Sequence, residues 1–377
     1  MESDGKNAYR LLIRFDLKRF ERLERFERRN VMNINYPIID ADGHVLEKDR
    51  ELHDYLGGRY SSAPRFETYS YFPSLDGWNR GTGVPGKDPE TPAPRWLQFL
   101  DELGVHATVL YPTGGLGLGL VQNPEWACVL ARAYNSWIAD RFTSQSPRLQ
   151  AVALLPVHEP LEAAKELERA KSMGLVAGLL PAVTALHKGY GHSDFDPIYQ
   201  AAERLDMPLT VHGAPSRGMG FDFFDKFLHV HTLEHPFAIL IQFTHMVFEG
   251  VFVRFPKLRC AFLEAGCGWL PYMMDRMDEE MEKPYRVQAP LLKKKPSELI
   301  RNGQVWTTCE VEEKALPHVL QQFNRKCLMW PSDYPHERLP DMFKRDIPEF
   351  LERDDVSDAD KKAILHDNPI NFYRLKI

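Results

Sequence analysis

The feature that most constrains the fold is an eightfold alternation. Short apolar runs, many of them β-branched, recur along the chain and end in polar residues. They lie at Pro37–Ala41, Ala107–Tyr111, Gln150–Leu155, Val176–Leu180, Pro208–Val211, Leu258–Leu263, Gln304–Thr308 and Cys327–Trp330. Between them stand stretches of helical periodicity, clearest at Glu125–Phe142, Pro160–Met173, Pro197–Leu205 and Phe237–Phe252. Strands that alternate with helices predict parallel βαβ units, because a crossover must carry the chain back before the next strand can run the same way. Eight such units predict an α/β fold of the closed (β/α)8 TIM-barrel type. A doubly wound open sheet is the competing arrangement. The 377 residues would then form one barrel domain, 36–377, preceded by an extension, 1–35.

Two segments depart from the rhythm. In the extension, Leu12, Phe15, Leu23 and Phe26 recur at helical spacing among Arg, Lys and Glu. This predicts an amphipathic helix, docked on the body or on a second subunit, so that a homodimer is an open expectation. A membrane-surface helix is the other reading, but Asp16, Glu21, Glu24 and Glu27 dilute its basic face. Residues 50–100 are rich in Gly, Pro, Tyr and Ser and show neither period. They read as an insertion after the first strand, either a lid over the barrel mouth or a surface loop.

Bulk properties exclude several classes. The net charge of −6 disfavours nucleic acid as a partner. No apolar run approaches the roughly 18 residues that cross a bilayer, and Met1–Arg10 lacks a signal-peptide core. The five cysteines are scattered and form no C-x-x-C pair, which reads as buried thiols in a reducing compartment, the cytoplasm.

Barrel enzymes place their chemistry at strand C-termini, so the polar residues there are the candidates. The first strand ends in Asp40-Ala41-Asp42-Gly43-His44. In an extended chain, residues i, i+2 and i+4 share a face, which would converge Asp40, Asp42 and His44. The fifth strand ends in Val211-His212, and the eighth in Ser332-Asp333-Tyr334-Pro335-His336. Each motif alone also fits a turn or a core residue. In a closed barrel, however, strands one and eight are neighbours and strand five lies across the mouth. Asp42, His44, His212 and Asp333 would then surround one divalent ion. Mixed imidazole and carboxylate donors suit Zn2+, Mn2+ or Fe2+ better than Ca2+ or Mg2+. Glu264 at the end of strand six, His336 close to Asp333, and His245 in an apolar helix are further candidates for proton chemistry. His187, Lys188 and His192 fall in the loop after strand four, and Arg80 in the insertion is one of several arginines able to meet a carboxylate.

These motifs resemble the amidohydrolase-related (amidohydrolase 2) family, in the branch that includes aminocarboxymuconate semialdehyde decarboxylase and several aromatic-acid decarboxylases. The resemblance rests on Ile39-Asp40-Ala41-Asp42-Gly43-His44, Leu209-Thr210-Val211-His212, Arg254-Phe255-Pro256-Lys257-Leu258, Glu264-Ala265-Gly266-Cys267-Gly268-Trp269-Leu270-Pro271, Ser332-Asp333-Tyr334-Pro335-His336 and Asn368-Pro369-Ile370-Asn371-Phe372-Tyr373. It implies a metal-dependent enzyme acting on a small carboxylic acid. Two positions depart from the pattern. Asp42 stands where much of the family has the first His of H-x-H, which makes the donor set richer in oxygen and brings Mn2+ forward beside Zn2+. Glu264 stands where the decarboxylase has a catalytic His. Two chemistries are compatible with these residues. One is non-oxidative decarboxylation of an aromatic or unsaturated acid, with His336 or Glu264 supplying the proton. The other is hydrolysis of an ester, lactone or amide by activated water, with Asp333 as base. A barrel that binds a small acid without turnover is the third expectation.

Overall fold

The computed structural model describes residues 34–62, 70–73, 91–214, 218–336 and 340–377. The expected N-terminal helix and about half of the 50–100 insertion, including Arg80, lie outside the described residues. The chain divides into two compact units, Met1–Pro37 and Ile38–Ile377, and the second holds the strands and helices of the barrel.

Eight strands run in sequence order and pair in parallel. They are β1 (Ile39–Val45), β2 (Ala107–Pro112), β3 (Leu149–Leu154), β4 (Ala177–Pro181), β5 (Leu209–His212), β6 (Cys260–Leu263), β7 (Val305–Thr308) and β8 (Leu328–Met329). Each is followed by a helix: α1 (Ala93–Leu103), α2 (Pro124–Ile138), α3 (Pro160–Ser172), α4 (Asp196–Leu205), α5 (Phe227–Phe248), α6 (Trp269–Glu280), α7 (Leu316–Gln322) and α8 (Pro340–Glu352). A short terminal helix, α9 (Asn368–Tyr373), ends the chain. The strands are buried from end to end, with only Gln150 partly exposed, as expected where helices cover the outer face and side chains fill the inner one.

The seam between the first and last strands is closed by the segment that follows β8. Ala41 N donates to Trp330 O (2.9 Å), Asp333 N to Asp42 O (2.9 Å) and His44 N to Tyr334 O (2.7 Å). The C-terminal Asn-Pro-x-Asn-Phe-Tyr motif braces this seam from below. Asn368 Nδ2 donates to Leu328 O (2.6 Å), and Tyr373 Oη donates to Ala41 O (2.8 Å). Asn135 does the same for α2 and β3: its amide donates to Leu154 O (3.0 Å) and accepts from Leu154 N (2.7 Å).

The elements differ from expectation in three places. The first strand, expected at Pro37–Ala41, runs on through Val45, so Asp42 and His44 are strand residues. The helix expected at Phe237–Phe252 begins ten residues earlier, at Phe227, and contains Pro236. Proline removes one helical hydrogen bond and normally marks a helix start; here burial of Val230, Glu234 and His235 carries the helix through it. Part of the segment that shows no period in the sequence is α1, whose Trp96, Phe99 and Leu100 are buried. Among the described residues, no helix is long and apolar enough to cross a membrane.

Candidate metal centre

The carboxyl ends of β1 and β5 bring three donors together. Asp42 Oδ1 lies 3.5 Å from His44 Nε2, and Asp42 Oδ2 lies 3.4 Å from His212 Nε2. All three side chains are buried. The imidazoles are fixed by backbone carbonyls: His44 Nδ1 is 2.9 Å from Pro112 O, and His212 Nδ1 is 2.8 Å from Gly213 O. A carbonyl can only accept, so each Nδ1 carries the proton and each Nε2 presents a lone pair. Those two Nε2 atoms and Asp42 Oδ1 are buried without a hydrogen-bond partner. Unsatisfied buried polar atoms are uncommon and costly. Three of them within 4.8 Å of one another, all of acceptor character, are the arrangement a divalent cation satisfies. Burial also pushes the Asp42 carboxyl above its ordinary range and holds His44 well below its own. His44 is thereby neutral, the form in which imidazole binds a metal.

Asp333 stands at the edge of this set. Its Oδ1 is 3.6 Å from His44 Nε2 and 2.7 Å from His336 Nδ1. His336 in turn reaches Thr113 Oγ1 through Nε2 (3.0 Å), and its ring lies 4.0 Å from that of His44, centre to centre. Asp333 is about a quarter exposed and is shared between His44 and His336. It has φ 54°, and Glu264 at the end of β6 has φ 62°. Two non-glycine residues in the left-handed region, both at strand ends on the mouth of the barrel, place backbone strain where chemistry would be done.

Asp40 does not join the donors. A β-bulge between Asp40 and Gly43 shifts the β1–β2 register by one residue, which breaks the alternation that would align Asp40, Asp42 and His44. Asp40 instead accepts from Thr108 Oγ1 (2.6 Å), Ser332 N (2.7 Å), Ser332 Oγ (2.8 Å) and Asp42 N (3.2 Å). It ties β1 to β2 and to the β8 segment. Gly43 is the residue that permits this, since a Cβ there would stand 2.5 Å from the Trp96 ring and 2.8 Å from Asp40 Oδ2.

Glu264 sits beside the donors: its Oε2 is 3.3 Å from His212 Nδ1 and 3.4 Å from His235 Nε2. His235, on α5, is not among the residues the sequence points to, because Pro236 puts the expected helix start after it. His245, expected as a proton carrier, is ten residues further along the same helix, about 15 Å away at 1.5 Å per residue. Its Nδ1 accepts from Gly191 N (2.8 Å) and fixes the loop after β4; the structure does not bring it to the cluster. In that loop Lys188 pairs with Asp194, and His192 Nδ1 accepts from Asp194 N (3.2 Å) at the surface. Trp269 packs edge-on against Phe243 and Phe262.

A family model described as amidohydrolase matches residues 39–375. The chain is 23% identical over 292 residues to gamma-resorcylate decarboxylase of Polaromonas sp., covering 74% of this chain and 87% of the relative. It is 25% identical over 262 residues to 2-amino-3-carboxymuconate-6-semialdehyde decarboxylase of Dictyostelium discoideum, covering 68% and 70%. Among solved structures, 5-carboxyvanillate decarboxylase of Novosphingobium aromaticivorans, complexed with manganese and 4-hydroxy-3-methoxy-5-nitrobenzoic acid, superposes with a TM-score of 0.69 at 20% identity, covering 90% of this chain and 97% of that one. The barrel fold is thus shared with that protein, and the chain belongs to the amidohydrolase family.

Proposed function

We propose that the protein is a metal-dependent decarboxylase of an aromatic or unsaturated carboxylic acid, with Asp42, His44, His212 and Asp333 holding one divalent ion. The observation that carries the reading is the trio of buried, lone-pair-bearing atoms, Asp42 Oδ1, His44 Nε2 and His212 Nε2. The activities of the relatives named above set the reaction class. Two carboxylates and two imidazoles favour Mn2+, with Zn2+ as the alternative ion. A divalent ion at this position would supply positive charge to the substrate carboxylate and a neighbouring oxygen, orienting the ring.

The chain's own residues handle the proton. Decarboxylation leaves the carbon–carbon bonding electrons on the substrate carbon; carbon dioxide departs and one proton takes its place. His336, held between Asp333 Oδ1 and Thr113 Oγ1, is the group we assign to deliver it. Glu264 Oε2 lies 3.3 Å from His212 Nδ1, on the side of the ring away from Asp42, a place from which a carboxylate can position a metal-bound histidine. Glu47 steadies the other wall: its half-buried carboxylate accepts from Thr113 N, Gly114 N and Gly115 N at 3.0–3.1 Å.

The test is carbon dioxide release from a panel of hydroxybenzoates by manganese-loaded protein, with esters and lactones run in parallel. Release that is lost in His336→Gln at unchanged metal content is the expected result. Ester or lactone cleavage without carbon dioxide would replace this reading with the hydrolytic one. The reading also takes the protein as cytoplasmic, in keeping with five free cysteines, four of them buried.

A further inference from the structure

A second group of metal-binding side chains lies on α5, apart from the donors on β1 and β5. His231, Glu234 and His235 each offer a ligand atom, and these atoms lie within 4.8 Å of one another. The spacing explains why. Residues three and four apart on a helix share a face, so His231 and His235 project side by side with Glu234 flanking them. A His pair at i and i+4 with a neighbouring Glu is an established way for one helix to grip zinc. Glu234 is fully buried and His235 nearly so.

The cluster is also tied to the first centre. Glu264 Oε2 is 3.4 Å from His235 Nε2, about the separation of two ligand atoms around one tetrahedral zinc with bonds of roughly 2.0–2.1 Å. The same oxygen is 3.3 Å from His212 Nδ1. Close packing holds the two groups in register: a Cβ at Gly213, the residue after His212, would stand 2.9 Å from the Cβ of His235.

We propose that His231, Glu234 and His235 form a second divalent-metal site, of zinc type, with Glu264 as the carboxylate linking it to His212. The ion would fix Glu264, whose Oε2 stands 3.3 Å from the His212 ring nitrogen. This inference rests on the reading of His212 as a ligand only for the link, not for the second site itself.

The experiment is a metal count on the full-length protein. Chelator-stripped protein is titrated with Zn2+ and, separately, with Co2+ and Mn2+, and bound metal is measured after gel filtration. Wild type is expected to saturate at two equivalents of Zn2+. His231→Ala, a change at a partly exposed position, should retain one, with the lost equivalent weakened by more than the roughly 10- to 100-fold typical of outer partners. Asp42→Asn should also retain one. Only the His231 variant should keep the visible Co2+ spectrum of the Asp42–His44–His212 centre, and only the Asp42 variant that of the helix site. Glu234→Gln, nearly isosteric, repeats the test if His231→Ala misfolds by near-ultraviolet circular dichroism. Saturation of wild type at one equivalent, or two equivalents in both helix variants, would overturn the second site. Failure of the decarboxylase reading would show as absent carbon dioxide release, whatever the metal count.

Discussion

Replacing Asp40 by Asn tests how the barrel seam is held. Asp40 is wholly buried, and burial raises its carboxyl from 3.8 to about 6, despite hydrogen bonds from Thr108, Ser332 and Asp42 that lower it. The raised value means that the folded protein prefers the protonated acid. The stabilisation is therefore fully present below pH 3.8 and is lost as the pH rises through about 6. A shift of about 2 units corresponds to roughly 3 kcal/mol at 1.36 kcal/mol per unit. Asn has nearly the same shape. Its oxygen can still accept from Ser332 N and Asp42 N, and its amide can donate to the hydroxyls of Thr108 and Ser332. It carries no charge at any pH. The stability of wild type minus that of Asp40→Asn should fall by roughly 3 kcal/mol between about pH 4 and pH 7.5 and be flat on either side. The assay is equilibrium urea unfolding of metal-free protein at half-unit pH steps. Taking the difference between the two proteins cancels the other titrating groups. Parallel curves for the two proteins across that interval would refute the argument.

Substitutions elsewhere have equally definite outcomes. Asp333→Ala and His212→Ala should each abolish turnover and lower bound metal; full activity in both, measured with a quantified metal content, would dismiss the ligand assignment. Asn135→Ala strips Leu154 N of its partner and removes a bond to buried Glu166; it should cost on the order of 1–3 kcal/mol in urea unfolding and leave metal content unchanged. Gly43→Ala forces a methyl against Trp96, Asp40 and Thr108; it should cost about 1–3 kcal/mol and weaken metal binding, because β1 must shift where Asp42 and His44 sit.

The barrel is legible because its signal is repeated: eight apolar runs ending in polar residues carry a period that no single strand shows. That Asp42, His44, His212 and Asp333 come together at the barrel mouth is legible for the same reason, as polar residues at the ends of those runs. Register is not. Nothing in Asp40-Ala41-Asp42-Gly43-His44 announces a bulge except the glycine, so the alternation puts Asp40 on one face with Asp42 and His44, where the structure does not keep it. His235 is hidden by Pro236, which reads locally as a helix start although tertiary burial extends the helix past it. His245 fits the helical pattern but lies on the wrong turn; its distance from the mouth is a matter of helix length, and the helix begins ten residues before the expected start.

The seam has a consequence for how the protein is made. Asp40 and Ser332, which meet in it, are 292 residues apart. The strand that bears Asp42 and His44 is synthesised well before its backbone partners, Trp330, Asp333 and Tyr334. A nascent chain can carry most of the imidazole and carboxylate donors while lacking the frame that aims them. Metal uptake would then report on closure of the seam: an ion retained through dilution marks a barrel whose first and eighth strands have met.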